Sequence, residues 1–204
     1  MKYIKKFIEN GTTFIQKISE LENLDKPKDI NRILRMIDDN PQYVNYIRNS
    51  YYIITSPINE TILRLSNKHF VTKILIKLIE NGADVNLIAN GYNASPLYNA
   101  VTTDKLDIVK VLVENGSNLE VCSGRVDTTP LMLAIMRYKN GNRFAMSIIE
   151  YLIEKGANWF YYKSNLIIDI KDILDAETYN KLIEKYQKQY QNSLVKQKAK
   201  KYNI

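Results

Sequence analysis

The chain is 204 residues long, with 29 Lys and Arg against 22 Asp and Glu, a formal net charge of +7, one histidine and one cysteine. Its longest unbroken apolar run, Leu131 to Met136, is six residues, too short to cross a bilayer, and no secretory apolar stretch follows Met1; a soluble, intracellular, cytoplasmic protein is expected. A lone Cys122 excludes an internal disulfide and agrees with a reducing compartment.

From the N-terminus, residues 1–45 read as a cap followed by a degenerate first repeat unit. Thr13-Phe14-Ile15 is a weak helix start. Met36-Ile37-Asp38-Asp39-Asn40-Pro41 with Gln42-Tyr43-Val44-Asn45 looks like a worn copy of the helix end and turn at Leu78 to Asn86. Tyr51-Tyr52-Ile53-Ile54-Thr55 is aromatic and β-branched, which predicts a hairpin arm. Residues 46–163 then hold three stretches that align on one another, starting at Thr61, Ser95 and Thr129, each 34 residues after the last. Self-similarity at this spacing predicts a stack of small units, at about 56–90, 91–123 and 124–163.

The aligned columns carry the physics. Leu63, Leu97 and Leu131, with Ser66, Ala100 and Ala134, place a large and a small residue three apart on a first helix. Ile74, Leu75, Leu78 and Ile79 of the second helix recur as Ile108, Val109, Leu112, Val113 and as Ile148, Ile149, Leu152, Ile153. This i, i+1, i+4, i+5 stripe can be buried only by stacking. Gly82, Gly116 and Gly156 follow it, where a helix end turns to positive φ without a Cβ clash. Ser95-Pro96 and Thr129-Pro130 supply an N-cap hydroxyl and a proline at the first helical position, while Thr61-Ile62 supplies only the cap. Ahead of the starts, Asn59, Asn93 and Asp127 tolerate a turn. The third unit carries six extra residues within Tyr138 to Phe144, whose Asn140-Gly141 signals a turn. Downstream, Ile168 to Leu174 and Tyr179 to Ile183 predict capping helices over 164–190, and 191–204 is a basic tail expected to be disordered.

The Thr129-Pro130-Leu131 and Ser95-Pro96-Leu97 starts, the paired helices and the 34-residue spacing resemble the ankyrin repeat, whose signature is T-P-L-H-x-A over about 33 residues. Its histidine is replaced here by Arg64, Tyr98 and Met132. The resemblance implies an all-α ankyrin repeat solenoid of helix-turn-helix units joined by β-hairpin loops, with a degenerate first ankyrin repeat in 1–45 and a C-terminal helical cap. Heavy use of Ile, Asn, Lys and Tyr, with 27 Ile against 19 Leu and 22 Asn, points to A/T-rich codons. Together with the divergent repeats it resembles the ankyrin repeat families of giant DNA viruses of amoebae.

Binding follows from the resemblance, because that family presents its hairpin tips and the inner face of its first helices as one surface. Carried across position by position, the exposed places are Ile58 and Glu60, Tyr92 and Ala94, and Arg125, Val126 and Thr128, with Thr103 and Arg137 from helix ends. Tyr92 and Arg125 are the expected anchors, being residue types that dominate hot spots. The implied partner is a protein, of a host cell if the source is viral, bound by a monomer. Viral relatives can bring host proteins to ubiquitin ligases, but no recognisable F-box-like segment follows these repeats.

Catalytic signals are missing. His69 stands alone, Cys122 is far from it in the chain, and neither a glycine-rich phosphate loop nor metal-ligand spacing occurs. No enzymatic activity and no cofactor are expected. The competing class is attachment to nucleic acid or an acidic membrane surface through the tail. Residues 185–204 contain Lys185, Lys188, Lys196, Lys198, Lys200 and Lys201 and no acid, leaving a net charge of only +1 for the rest.

Overall fold

The computed structural model describes residues 2–20, 27–50, 53–65, 69–89, 94–123, 128–163 and 166–202. It divides into two compact units, residues 1–117 and 118–204.

The first unit is three helical pairs. Helices α1 (Lys2–Ser19) and α2 (Pro27–Asp39) form the first, α3 (Pro57–Leu65) and α4 (Val71–Glu80) the second, α5 (Pro96–Thr102) and α6 (Leu106–Glu114) the third. Helix α3 packs between α1 and α5, and α4 packs between α2 and α6, so the pairs stack in two layers as the repeat pattern requires. Their shared core comprises Ile15, Ile18 and Ile37 of the first pair, Ile58, Ile62, Leu65, Ile74, Leu75 and Leu78 of the second, and Leu97, Ile108, Val109 and Leu112 of the third, all at most 1% exposed. Each contributes about 1.5–3 kcal/mol by leaving water. Helix α1 runs unbroken through Thr13, so no helix starts there. Thr13 Oγ1 instead donates to Glu9 O at 2.9 Å, a back-bond within the helix.

The second unit contains α7 (Pro130–Lys139) and α8 (Ala145–Glu154), then a hairpin of β3 (Phe160–Lys163) and β4 (Leu166–Asp169), and helices α9 (Ala176–Lys185) and α10 (Gln187–Tyr202). In the first unit a second hairpin pairs β1 (Arg48–Ser50) with β2 (Ile53–Thr55), Arg48 opposite Thr55. The arm predicted at Ile53 to Thr55 is therefore a strand, while Tyr51 and Tyr52 lie outside the described residues.

Helix ends repeat one chemistry. Gly82, Gly116 and Gly156 have φ of 87°, 88° and 93°. After each, the next residue's N–H reaches back to a carbonyl of the last turn, Ala83 to Leu78, Ser117 to Leu112 and Ala157 to Leu152, at 2.9–3.1 Å. This six-to-one bond closes the helix and satisfies a carbonyl that would otherwise lack a partner. The extra residues of the third unit use the same device: α7 extends to Lys139 and closes with Asn142 N–H on Arg137 O at 3.0 Å.

Three further expectations about the elements are overturned. Sequence spacing starts the first aligned unit at Thr61, but α3 starts at Ser56-Pro57. Ser56 Oγ accepts from Asn59 N at 3.4 Å, just as Ser95 Oγ accepts from Tyr98 N and Thr129 Oγ1 from Met132 N. Thr61 is inside the helix, its Oγ1 donating to Pro57 O at 2.8 Å. Leu63, assigned to the core beside Leu97 and Leu131, is 47% exposed, and Ile58, 1% exposed, takes its place. Second, Ile168 to Leu174 is not a helix. Its first residues finish β4 and the rest make one 3-10 turn, Ile170–Asp172, closed by a capping box. Asp169 Oδ1 accepts from Lys171 N at 3.0 Å and Asp172 Oδ2 from Asp169 N at 3.3 Å. Third, the tail expected to be disordered from residue 191 is helical to Tyr202. It is tied down where Ser193, 3% exposed, accepts from Trp159 N at 3.4 Å.

Candidate protein-interaction surface

The turns that follow the second helices are clamped from one repeat to the next by a single side-chain position. Asn45 Nδ2 donates to Gly82 O at 2.7 Å while its Oδ1 accepts from Asp84 N at 2.7 Å. Asn86 Nδ2 donates to Gly116 O at 3.1 Å. In the second unit the same position is Glu120, whose Oε1 accepts from Asn158 N at 2.8 Å. Although Glu120 is exposed as a residue, packing about its carboxyl desolvates it and raises its pKa, against the Asn158 N–H bond and the attraction of Lys196.

A second device lies at the helix starts. With the register set by Ser56-Pro57, the signature histidine corresponds to Asn59, Tyr98 and Met132, so Asn59 rather than Arg64 occupies that column. Asn59 is fully buried. Its Nδ2 lies within reach of Ser56 Oγ at 3.2 Å, Ala89 O at 3.4 Å and Leu87 O at 3.5 Å, and its Oδ1 accepts from Asn99 Nδ2 at 2.9 Å. One amide thereby ties the second helical pair to the turn and helix that follow it.

The register also redistributes the residues assigned to the binding surface. Ile58 is 1% exposed, because it shares a buried face with Ile62 and Leu65 at i+4 and i+7. Glu60 is 4% exposed and ion-paired to Arg64 Nε at 3.2 Å. Ala94, 2% exposed, is packed just ahead of the Ser95 cap. Thr128 is at the base of a hairpin rather than its tip, exchanging two backbone bonds of 3.0 Å with Ser123. None of these four is an exposed contact. Tyr92, Arg125 and Val126, with Asn93, Asp127 and Ser66, lie outside the described residues. Thr103 and Arg137 are half-exposed at the ends of α5 and α7.

One repeat position faces outward on the first helices of each unit. Leu63-Arg64 and Thr102-Thr103 in the first unit, and Met136-Arg137 in the second, occupy equivalent places, six and seven residues after the start of α3, α5 and α7. Leu63 and Met136 are 47% and 37% exposed. The residues that sequence reasoning missed are thus Leu63 and Arg64, and the Ser56-Pro57 dipeptide is the signal that identifies them. In the second unit the extra residues build a groove of about 450 Å³ lined by Tyr138, Lys139, Arg143, Ile173 and Leu174. The Arg143 guanidinium stands 5.7 Å from the Tyr138 ring centre and Phe144 is 76% exposed. Among the described residues no cluster of His, Cys, Asp and Glu could hold a metal, and no helix is long and apolar enough to cross a membrane. The Asp169 and Asp172 pair is spent on its capping box, with desolvation raising the Asp169 pKa.

Repeated helical pairs, glycine-closed turns and Ser/Thr-Pro helix starts define an ankyrin repeat protein, and the family description for three ankyrin repeats matches residues 62–162. The fold is the all-α ankyrin repeat solenoid. Among curated proteins, an ankyrin repeat protein of Acanthamoeba polyphaga mimivirus is 32% identical over 132 residues, covering 62% of this chain and 34% of that protein. The chain thus resembles the giant-virus ankyrin families and spans about a third of that relative's length. Ankyrin repeats are generally protein-interaction modules and typically non-catalytic.

Proposed function

We propose that this chain is a non-catalytic adaptor or scaffold that acts in the cytoplasm of a host cell and, as a monomer, docks another protein through the outward repeat position of its first helices. The observation that supports this reading is the recurrence, at one repeat position, of an exposed aliphatic or thioether side chain beside an arginine, Leu63-Arg64 and Met136-Arg137. The helices carrying them bury almost every other apolar side chain. Apolar groups that do nothing for the core and stand beside a cation suit a desolvated contact with a polar rim.

The test is affinity capture from amoebal cell extract with the full chain and with Leu63→Glu/Met136→Glu. Both sites are exposed, so thermal melting should be unchanged. Proteins captured by the wild-type chain and lost with the variant support the reading. An identical captured set with both chains, or loss of it with Ile76→Glu on α4 instead, refutes it.

A further inference from the structure

We propose that α10 is a binding site for the phosphodiester backbone of nucleic acid, held without sequence preference. Residues 185–204 bear six lysines and no acid. Some lysines elsewhere meet carboxylates: Lys77 lies against Asp38 and Glu80, Lys171 against Asp169, Lys181 against Glu177, and Lys185, at the end of α9, against Glu150, at 2.6–3.8 Å. On α10 itself Lys188, Lys196, Lys198 and Lys200 are exposed, and Glu120 attracts Lys196. Like charges crowded on one helix repel, and the favourable interaction of the last-turn lysines with the helix C-terminus offsets only part of that.

The helix is nevertheless fixed. The Tyr190 ring packs on Trp159 at 5.2 Å, Phe160 at 6.1 Å and Tyr179 at 6.3 Å between ring centres. Ser193 accepts from Trp159 N, and Trp159 itself is fully buried. The cations are therefore presented from a rigid frame, so little ordering entropy is lost when a polyanion binds.

The residue types choose the ligand. Lysine is a point charge suited to phosphate, and residues 185–204 contain no arginine for bidentate reading of base edges. Gln187, Gln191 and Asn192 alternate with the lysines and can hydrogen-bond to phosphate and sugar. A bilayer surface fits less well, because a helix lying in the lipid interface needs an apolar face. Tyr190 and Ser193 turn to the protein, leaving Val195, 67% exposed, as the large exposed apolar side chain among the described side chains of α10.

The experiment is fluorescence anisotropy of the full chain with labelled duplex DNA and duplex RNA of about two helical turns. Binding to either duplex should weaken roughly 40- to 150-fold between about 50 and 200 mM salt, as expected for three to four phosphate contacts. Lys188→Gln/Lys198→Gln/Lys200→Gln should weaken it at least tenfold, with the fluorescence of Trp159, the single tryptophan, unchanged as proof of folding. Lys17→Gln/Lys73→Gln/Lys139→Gln lowers the net charge equally and should leave binding intact. Three results would overturn the proposal: no salt-dependent binding to either duplex, equal loss in the two variants, or tighter binding to phosphatidylserine vesicles than to the duplexes.

Discussion

Asn99 Nδ2 donates to Asn59 Oδ1 at 2.9 Å, and the two side chains are 5% and 0% exposed. Two buried amides on successive first helices thus satisfy each other while Asn59 Nδ2 turns to the carbonyls of the intervening turn. A buried amide that loses its partner keeps its full desolvation penalty. Asn59→Ala should therefore cost about 1–3 kcal/mol in denaturant melts, Asn99→Ala should cost less, and the double variant should be less destabilised than the sum. Strict additivity would show that the two amides are not coupled.

Gly11 lies inside α1, where glycine ordinarily weakens a helix. A Cβ built there would meet the Tyr46 ring at 2.6–2.7 Å, so the ring and the helix backbone are in direct contact. Thr12 Oγ1 and Tyr46 Oη are 3.3 Å apart beside it. Gly11→Ala should destabilise by about 1–3 kcal/mol despite the better helix propensity. In a Tyr46→Ala background the same substitution should become neutral or stabilising. A stabilising effect in the native background would contradict the contact.

Glu120 departs from the asparagines at its position, because a carboxylate accepts from Asn158 N but cannot donate to the Gly156 carbonyl as Asn45 and Asn86 do to Gly82 and Gly116. Desolvation raises its folded pKa, so the folded state holds the proton more tightly than the unfolded one. The stabilisation this brings is complete below the unfolded value of about 4.3 and is lost as pH rises through the folded pKa. Glu120→Gln restores a donor worth about 0.5–1.5 kcal/mol and does not titrate. Its melting advantage over the native chain should be larger near neutral pH than near pH ~4. An advantage that shrinks as pH rises would contradict the assignment.

The second-helix stripes and their closing glycines are legible in the sequence because packing and positive φ leave one choice of residue at each place. Ile74, Ile108 and Ile148 are all fully buried. The start of the repeat containing α3 is not legible from a constant period. The loop between its helices is longer than the one between α5 and α6, and loop length carries little energetic penalty. Counting back from Ile74 lands on Thr61, five residues too far along, which turns the buried residues Ile58 and Glu60 into apparent hairpin contacts. The Ser56-Pro57 cap is the better anchor, since cap chemistry is local and does not depend on loop length. Helix α10 is obscure for a different reason. It is held by Tyr190 and Ser193 against Trp159 rather than by an apolar stripe, so periodicity has nothing to detect.

The outward repeat position can be tested directly by photo-crosslinking. A benzophenone side chain is placed singly at Leu63, Met136 or Ile76, and the full chain is irradiated in amoebal extract. Adducts to the same host protein from positions 63 and 136, with none from position 76, are the predicted result. Adducts from position 76 with none from 63 or 136 would place the contact on the second helices and contradict the assignment of the binding face.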